Sequence, residues 1–255
     1  MDSLTDKELM EIAPSVFTTK KSKKVSQKYS FIPTINVIKD MRKLGWDVFN
    51  ATQQKSRNVN DSAHTKHMVR LRNSNIGLIN DSVPEIVLTN SHDGRNAFKL
   101  HAGIFRMVCS NGMVIADTTI DNIRIKHQWY DFEDIKVITD AMVKKVPEMI
   151  KKMNSLNNVI LSDDEQLEFA EKAILTRWPK GNESVNIEDL LSPIRKADRG
   201  DDLWKIFNVI QEKLVKGGLV FNNKKEKMQK IRPVTNIDRQ VTMNKDLWEL
   251  TEAYV

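Results

Sequence analysis

Apolar residues recur along this chain with two different periods, and the switch between them predicts its architecture. Pro33 and Thr34 open a short helix carrying Ile35, Val37, Ile38, Met41 and Leu44, with Thr34 as the expected N-cap and Gly45 as terminator. The period then falls to two. Across residues 64–72, an extended backbone puts Thr65, His67, Val69 and Leu71 on one face, and Lys66, Met68, Arg70 and Arg72 on the other. Residues 85–90 predict a second strand with Ile86 and Leu88 inward. The pair Asp93-Gly94 marks a tight turn, after which residues 97–108 alternate Phe98, Leu100, Ala102 and Ile104 against Lys99, His101 and Phe105. Gly103 inside that run predicts a bulge or a close backbone approach. Asn111-Gly112 predicts another turn before residues 113–116, and residues 120–126 a further strand with Ile123 and Ile125 inward.

From Asp131 the period returns to 3.6. Phe132, Ile135, Ile138, Met142, Val146, Met149 and Met153 form one stripe of a long helix, which Pro147 is expected to kink or interrupt. Ser162 to Glu165 spells a capping box ahead of Leu167, Phe169, Ala170 and Ile174, and Trp178-Pro179 ends that helix. Another helix from Asp201 carries Leu203, Ile206, Phe207, Ile210 and Leu214 and stops at Gly217-Gly218. The expected fold class is therefore α+β: a central antiparallel meander, preceded by a short helix and followed by a long helix and a mostly helical C-terminal part. Three segments are expected: a flexible basic arm over 1–28, an α+β core over 29–160 and a helical region over 161–255.

Charge changes this picture more than composition does. Forty Lys and Arg against 34 Asp and Glu give a formal charge of +6 and a pI near 9.2, which favours a polyanionic partner. The first 28 residues begin acidic and end in Lys20, Lys21, Lys23, Lys24 and Lys28, a self-repelling block read as a mobile arm. No apolar run approaches the ~20 residues of a membrane span. The polar start offers no signal-peptide core, and the single Cys109 fits a reducing cytoplasm.

Catalytic patterns are absent. The chain holds no phosphate-binding Gly-rich loop, no His-Glu-x-x-His and no Gly-x-Ser-x-Gly. His64 and His67 are three apart on a predicted strand and point to opposite faces, which is poor metal geometry. Cys109 reads as a small buried residue rather than a nucleophile. Asp163-Asp164-Glu165 and Asp201-Asp202 sit at predicted helix N-termini, where the macrodipole favours acids. No catalytic residue, cofactor or metal is expected. What remains is positive charge on neighbouring strands: Lys66, Arg70, Arg72, Lys99, Arg124 and Lys126, joined by Lys20, Lys21, Lys23 and Lys24 of the arm. A sheet face carrying these cations repels itself unless a polyanion, or acids from elsewhere, neutralise it. Phe105, Trp129 and Tyr130 are candidates for stacking on bases.

Several stretches resemble a phage- and plasmid-borne family catalogued as domain of unknown function 932. They are residues 29–34, Gly45-Trp46, residues 67–72 and 84–88, residues 90–94 leading into 103–112, and late matches at Asp198-Arg199, Leu203-Trp204, residues 208–212, Gly217-Gly218 and 244–248. The resemblance covers nearly everything beyond residue 28 and implies a mobile-element setting in a bacterial host rather than a reaction. The order of elements is also similar to that of ring-forming single-strand annealing proteins of the Red-beta and RecT kind, which pair strands without ATP. The resulting expectation is a cytoplasmic, oligomeric protein that binds and anneals single-stranded DNA, its oligomer a ring where the likeness extends that far. The alternative is a phage-encoded interaction protein that inhibits a host defence or DNA-processing factor.

Overall fold

A computed structural model describes residues 2–23, 25, 31–56, 59–78, 81–108, 111–115, 131–182, 184–222 and 227–255. The fold is α+β, and the chain forms two compact units: Met1–Arg106 with Gly112–Val146, and Met107–Asn111 with Pro147–Val255.

The first unit is built on a five-stranded sheet whose strands follow one another in sequence order. These are β1 (Trp46–Gln53), β2 (His67–Asn73), β3 (Ser82–Asn90), β4 (Lys99–Arg106) and β5 (Asn111–Val114). The first four pair antiparallel. β1 is the strand the pattern did not predict. Its register slips between Val48 and Asn50, so Phe49 is an extra residue that breaks the alternation on which such a reading depends. β3 is longer than expected and contains Pro84, opposite Ile104 of β4. Asn111 and Gly112 are residues of β5 rather than the turn before it. The strand expected over 120–126, with Arg124 and Lys126, lies outside the described residues, as do Trp129, Tyr130 and Cys109.

Two helices flank this sheet at the start of the chain. Residues 1–28 were expected to be a mobile arm, but α1 (Asp6–Ile12) and a 3-10 turn (Pro14–Phe17) occupy their first half. Thr5 and Glu8 close a capping box, and Leu9, Ala13 and Val16 are fully buried. Leu4 N–H bonds the Val48 carbonyl at 2.7 Å, which ties the segment to β1. Three apolar residues among charges are enough to dock seven residues of helix once a core exists to receive them. α2 (Thr34–Lys43) buries Ile35, Val37, Ile38 and Met41 as predicted. Its N-cap is Pro33, not Thr34, because the Thr34 hydroxyl is spent inside the molecule. Gly45 at φ +82° then turns the chain into β1.

The long predicted helix, α3 (Phe132–Asn158), is continuous through Pro147. Pro147 is exposed, so the carbonyl it leaves unbonded lies on the solvent side of the helix with Val143. Ile135, Ile138, Met142, Val146, Met149 and Met153 are all buried, as the stripe requires. The division between units falls at this proline, earlier than the boundary expected at 160.

The second unit is mainly helical. It comprises α4 (Asp163–Arg177), α5 (Ile187–Leu191), α6 (Leu203–Lys216), a hairpin of β6 (Val220–Asn222) and β7 (Met228–Lys230), and α7 (Ile237–Glu252). The capping box at Ser162–Glu165 forms as expected, and Asp202 and Asn236 cap α6 and α7. α6 is buried on nearly every side, with Trp204 and Phe207 stacked and Phe207 edge-on to Trp248 of α7. Among the described residues, no helix is long and apolar enough to cross a membrane.

Candidate functional site

The sheet places the expected cations in two very different settings. Paired residues in neighbouring strands point to the same face, so the Leu71–Ile86 pair puts Glu85 on the face of Arg70 and Arg72. Both arginines turn onto it. Arg70 Nη1 donates to Glu85 Oε2 at 2.8 Å and Arg72 Nε to Glu85 Oε1 at 2.8 Å. The carboxylate is fully buried, and both arginines are less than a tenth exposed. Arg72 is held between Phe105, 3.7 Å from its Cζ to the ring centroid, and Phe49 at 4.7 Å. Arg70 also donates to the Gly112 carbonyl at 3.0 Å, fastening β5. A Cβ at Gly112 would fall 2.6 Å from that guanidinium, so a side chain there would push the Arg70 head group aside. The expected solvated cationic face is thus corrected: Arg70 and Arg72 are interior groups neutralised by an acid from the adjacent strand. Phe105, expected as a stacking partner for bases, is the wall of this cluster. Sequence alone held the clue, since Ile86 and Leu88 inward put Glu85 on the opposite face with the arginines.

On the other face lies a buried polar group around His67. Its Nδ1 is 2.8 Å from Ser15 Oγ and its Nε2 is 2.8 Å from Thr34 Oγ1, whose hydroxyl also accepts from Asn90 Nδ2 at 2.9 Å. Thr65's carbonyl, 3.3 Å from Nδ1, can only accept, which puts the ring proton on Nδ1 and leaves Nε2 to accept from Thr34. Ser15 is therefore a hydrogen-bond acceptor from His67, the reverse of an activated nucleophile. Burial, reinforced by His92, pushes the His67 pKa down to about 3, so the ring is neutral. His92, 5.3 Å away and 4.8 Å from Phe31, is pushed to about 4 by burial and then by His64; the Ser15 backbone and Asp93 oppose this only weakly. Both His92 nitrogens are buried without a hydrogen-bond partner among the described residues. Among those residues, too, no group of three or more His, Cys, Asp or Glu could hold a metal ion.

The accessible cations gather elsewhere, at the end of the sheet where β2 begins and β3 turns into β4. Three hydrogen bonds bring the N-terminal segment there. Lys20's carbonyl lies 3.1 Å from His64 Nε2, Ser22 N–H bonds the His92 carbonyl at 3.1 Å, and Thr18 Oγ1 donates to the Ala63 carbonyl. His92 N–H in turn bonds the His64 carbonyl at 3.1 Å, locking the turn after β3 to the entrance of β2. Lys20 and Lys23 are exposed and Lys21 half-buried; Lys24 lies outside the described residues. Lys99 is exposed at the head of β4, beside Thr89. Lys66 differs: it is buried, and its ammonium donates to Asn96 Oδ1 at 3.1 Å.

Two further cations belong to this rim that the pattern did not single out. Arg95, directly after the Asp-Gly turn, has a side chain 83% exposed and only a 4.0 Å approach to Asp93. Lys55 is exposed next to Gln54, whose N–H bonds the Lys66 carbonyl at 2.8 Å. The acidic helix starts expected to be structural are so: Glu165 completes its cap, and Asp202 caps α6 while pairing with Lys205 at 2.8 Å.

Residues 21–248 match the model of the family described as domain of unknown function (DUF932). Two relatives from Escherichia coli strain K12, UPF0380 protein YafZ and UPF0380 protein YfjQ, are each 33% identical over 250 residues, spanning 98% of this chain and 91% of each relative. No solved structure matches the chain. The chain belongs to the DUF932 family.

Proposed function

We propose that this protein binds single-stranded nucleic acid through the basic rim of its first unit and promotes strand annealing without ATP. The observation that carries this reading is the convergence of Lys20, Lys23, Lys55, Arg95 and Lys99 at one end of the sheet, drawn together by the Ser22–His92 and Lys20–His64 contacts. Exposed cations gathered at one end of a sheet lower their mutual repulsion by taking up phosphates, which release their counterions. Net positive charge supports encounter with a polyanion. The mechanism is positional: the rim holds one backbone and leaves bases free to test a complementary strand. Such a protein acts as an oligomer in the cytoplasm of a bacterial host.

The experiment is an annealing time course with complementary labelled oligonucleotides, no nucleotide added, and wild type beside a Lys20→Ala, Lys23→Ala, Arg95→Ala, Lys99→Ala variant. Wild type should accelerate pairing and the variant should not. An unchanged pairing rate with wild type overturns the reading. Recovery of one stoichiometric acidic host protein instead, with no nucleic acid, would favour an inhibitory interaction protein.

A further inference from the structure

The second unit carries its own concentration of cations, at the corner where three chain segments meet. α4 ends at Arg177, and Trp178 leaves it in an extended conformation. Gly217, at φ +70°, ends α6; a Cβ there would fall 2.4 Å from the Ile231 carbonyl, so only glycine lets the returning strand pass this close. That strand is then held to α6 by Gly218 N–H on the Ile231 carbonyl at 2.9 Å and Val234 N–H on the Val215 carbonyl at 2.9 Å.

Arg177 spans the junction. One of its amino groups donates to the Leu214 carbonyl at the end of α6, the other to the Arg232 carbonyl at 2.5 Å. Its Cζ lies 4.5 Å from the centroid of the Trp178 ring. Arg239 of α7 donates through Nη2 to the carbonyls of Thr176 at 3.2 Å and Arg177 at 2.5 Å. The bonds to Leu214, Thr176 and Arg177 satisfy carbonyls that helix ends leave open, and the one to Arg232 fastens the returning chain. They do not neutralise charge. Neither arginine forms an ion pair among the described residues, and Arg239's Nε and Nη1 make no hydrogen bond there.

Around them Lys180, Lys230 and Arg232 are exposed, and the Lys230 side chain lies over Gly218. Glu212, the acid on the last turns of α6, is already taken by Arg195 at 2.7 Å and Lys216 at 3.0 Å. Asp238, at the start of α7, is itself engaged. Partial burial, and after it the like charge of Arg239, lowers the Arg177 pKa.

We propose that Arg177 and Arg239, with Lys180, Lys230 and Arg232, form a second phosphate-binding site that takes a further stretch of single-stranded nucleic-acid backbone. Caps need one donor per carbonyl; they do not need five cations at one corner, three of them exposed. Unused guanidinium donors in a fixed plane suit phosphate oxygens, and Arg177 couples the site to the Trp178 ring. This inference rests on the reading of the chain as a nucleic-acid binder, and it assigns that binder two separate binding regions.

The test uses the full chain and a thymidine oligonucleotide. Four proteins are compared: wild type, the rim variant above, a corner variant (Lys180→Ala, Lys230→Ala, Arg232→Ala), and the combination. The corner variant leaves the Arg177 and Arg239 carbonyl bonds intact, so the fold is preserved. It should bind about tenfold more weakly, with a salt slope shallower by about 0.7 for each phosphate it no longer neutralises. The rim variant should keep an oligonucleotide-dependent change in tryptophan emission that Trp178→Phe removes. A corner variant with wild-type affinity and slope overturns the site. If wild type binds no oligonucleotide, the functional reading fails, and tripolyphosphate decides the corner separately. An emission change that is abolished in the corner variant sustains the phosphate site; no change overturns it.

Discussion

Glu85 holds two arginines in the interior, and the energetics of that trio are lopsided. Two cations share one buried carboxylate, so the group keeps an excess positive charge that the Phe105 and Phe49 rings and the Gly112 carbonyl offset. Removing the acid strands both charges. Glu85→Gln should therefore cost about 3–5 kcal/mol of unfolding free energy, the range for a buried pair broken from one side. Urea denaturation measures it, and a loss below about 1 kcal/mol would show that the carboxylate is not what neutralises the arginines. The buried histidines set a second expectation. His67 and His92 are neutral in the fold, at about 3 and about 4, against about 6.5 when unfolded. Below about pH 6.5 the unfolded chain takes up protons that the folded chain refuses. Stability is then full above that pH and falls as pH drops toward 4, by up to about 1.4 kcal/mol per pH unit for each ring. Replacing His92 by Phe should flatten this fall between pH 6.5 and 4; an unaltered profile would contradict it.

Among the elements, α1 carries the sharpest test. A mobile arm would tolerate any substitution, whereas a docked helix would not. Leu9 is fully buried and Thr5 caps the helix, so Leu9→Ala should cost about 2–5 kcal/mol and Thr5→Ala about 1. Equal stability of Leu9→Ala and wild type, by thermal or urea unfolding, would return the segment to the solvent. The same helix shows where sequence reading stops. α2, β2, the stripe of α3, the Ser162 capping box and the glycine stop after α6 were legible because each has an unbroken period or a local cap. α1 was not, because its few apolar residues are outnumbered by charges and find their partner on β1, far along the chain. β1 was hidden by the bulge at Phe49. The candidate site was legible in part: residue types identified Lys20, Lys23 and Lys99. Strand periodicity, however, marks only the face, and cannot tell a solvated lysine from an arginine sealed over Glu85.

At the scale of the whole molecule, the surplus of six positive charges is not spread evenly through the roles its residues play. Arg70, Arg72 and Arg106 are spent on Glu85 and Asp81 inside the first unit, and Arg195 on Glu212 and Asp198 in the second. Lys20, Lys23, Lys55, Arg95 and Lys99 at the rim, and Lys180, Lys230 and Arg232 at the corner, are exposed instead, and it is those groups that the proposed nucleic acid would meet. The most direct measurement is fluorescence anisotropy of single-stranded and duplex DNA of one length, titrated with wild type and the Lys20→Ala, Lys23→Ala, Arg95→Ala, Lys99→Ala variant over a range of salt. Binding should be tighter to the single strand and fall steeply with salt, and the variant's salt slope should be shallower by about 0.7 per phosphate left unneutralised. Absence of binding at low salt, or a variant that matches wild type in affinity and slope, would contradict it.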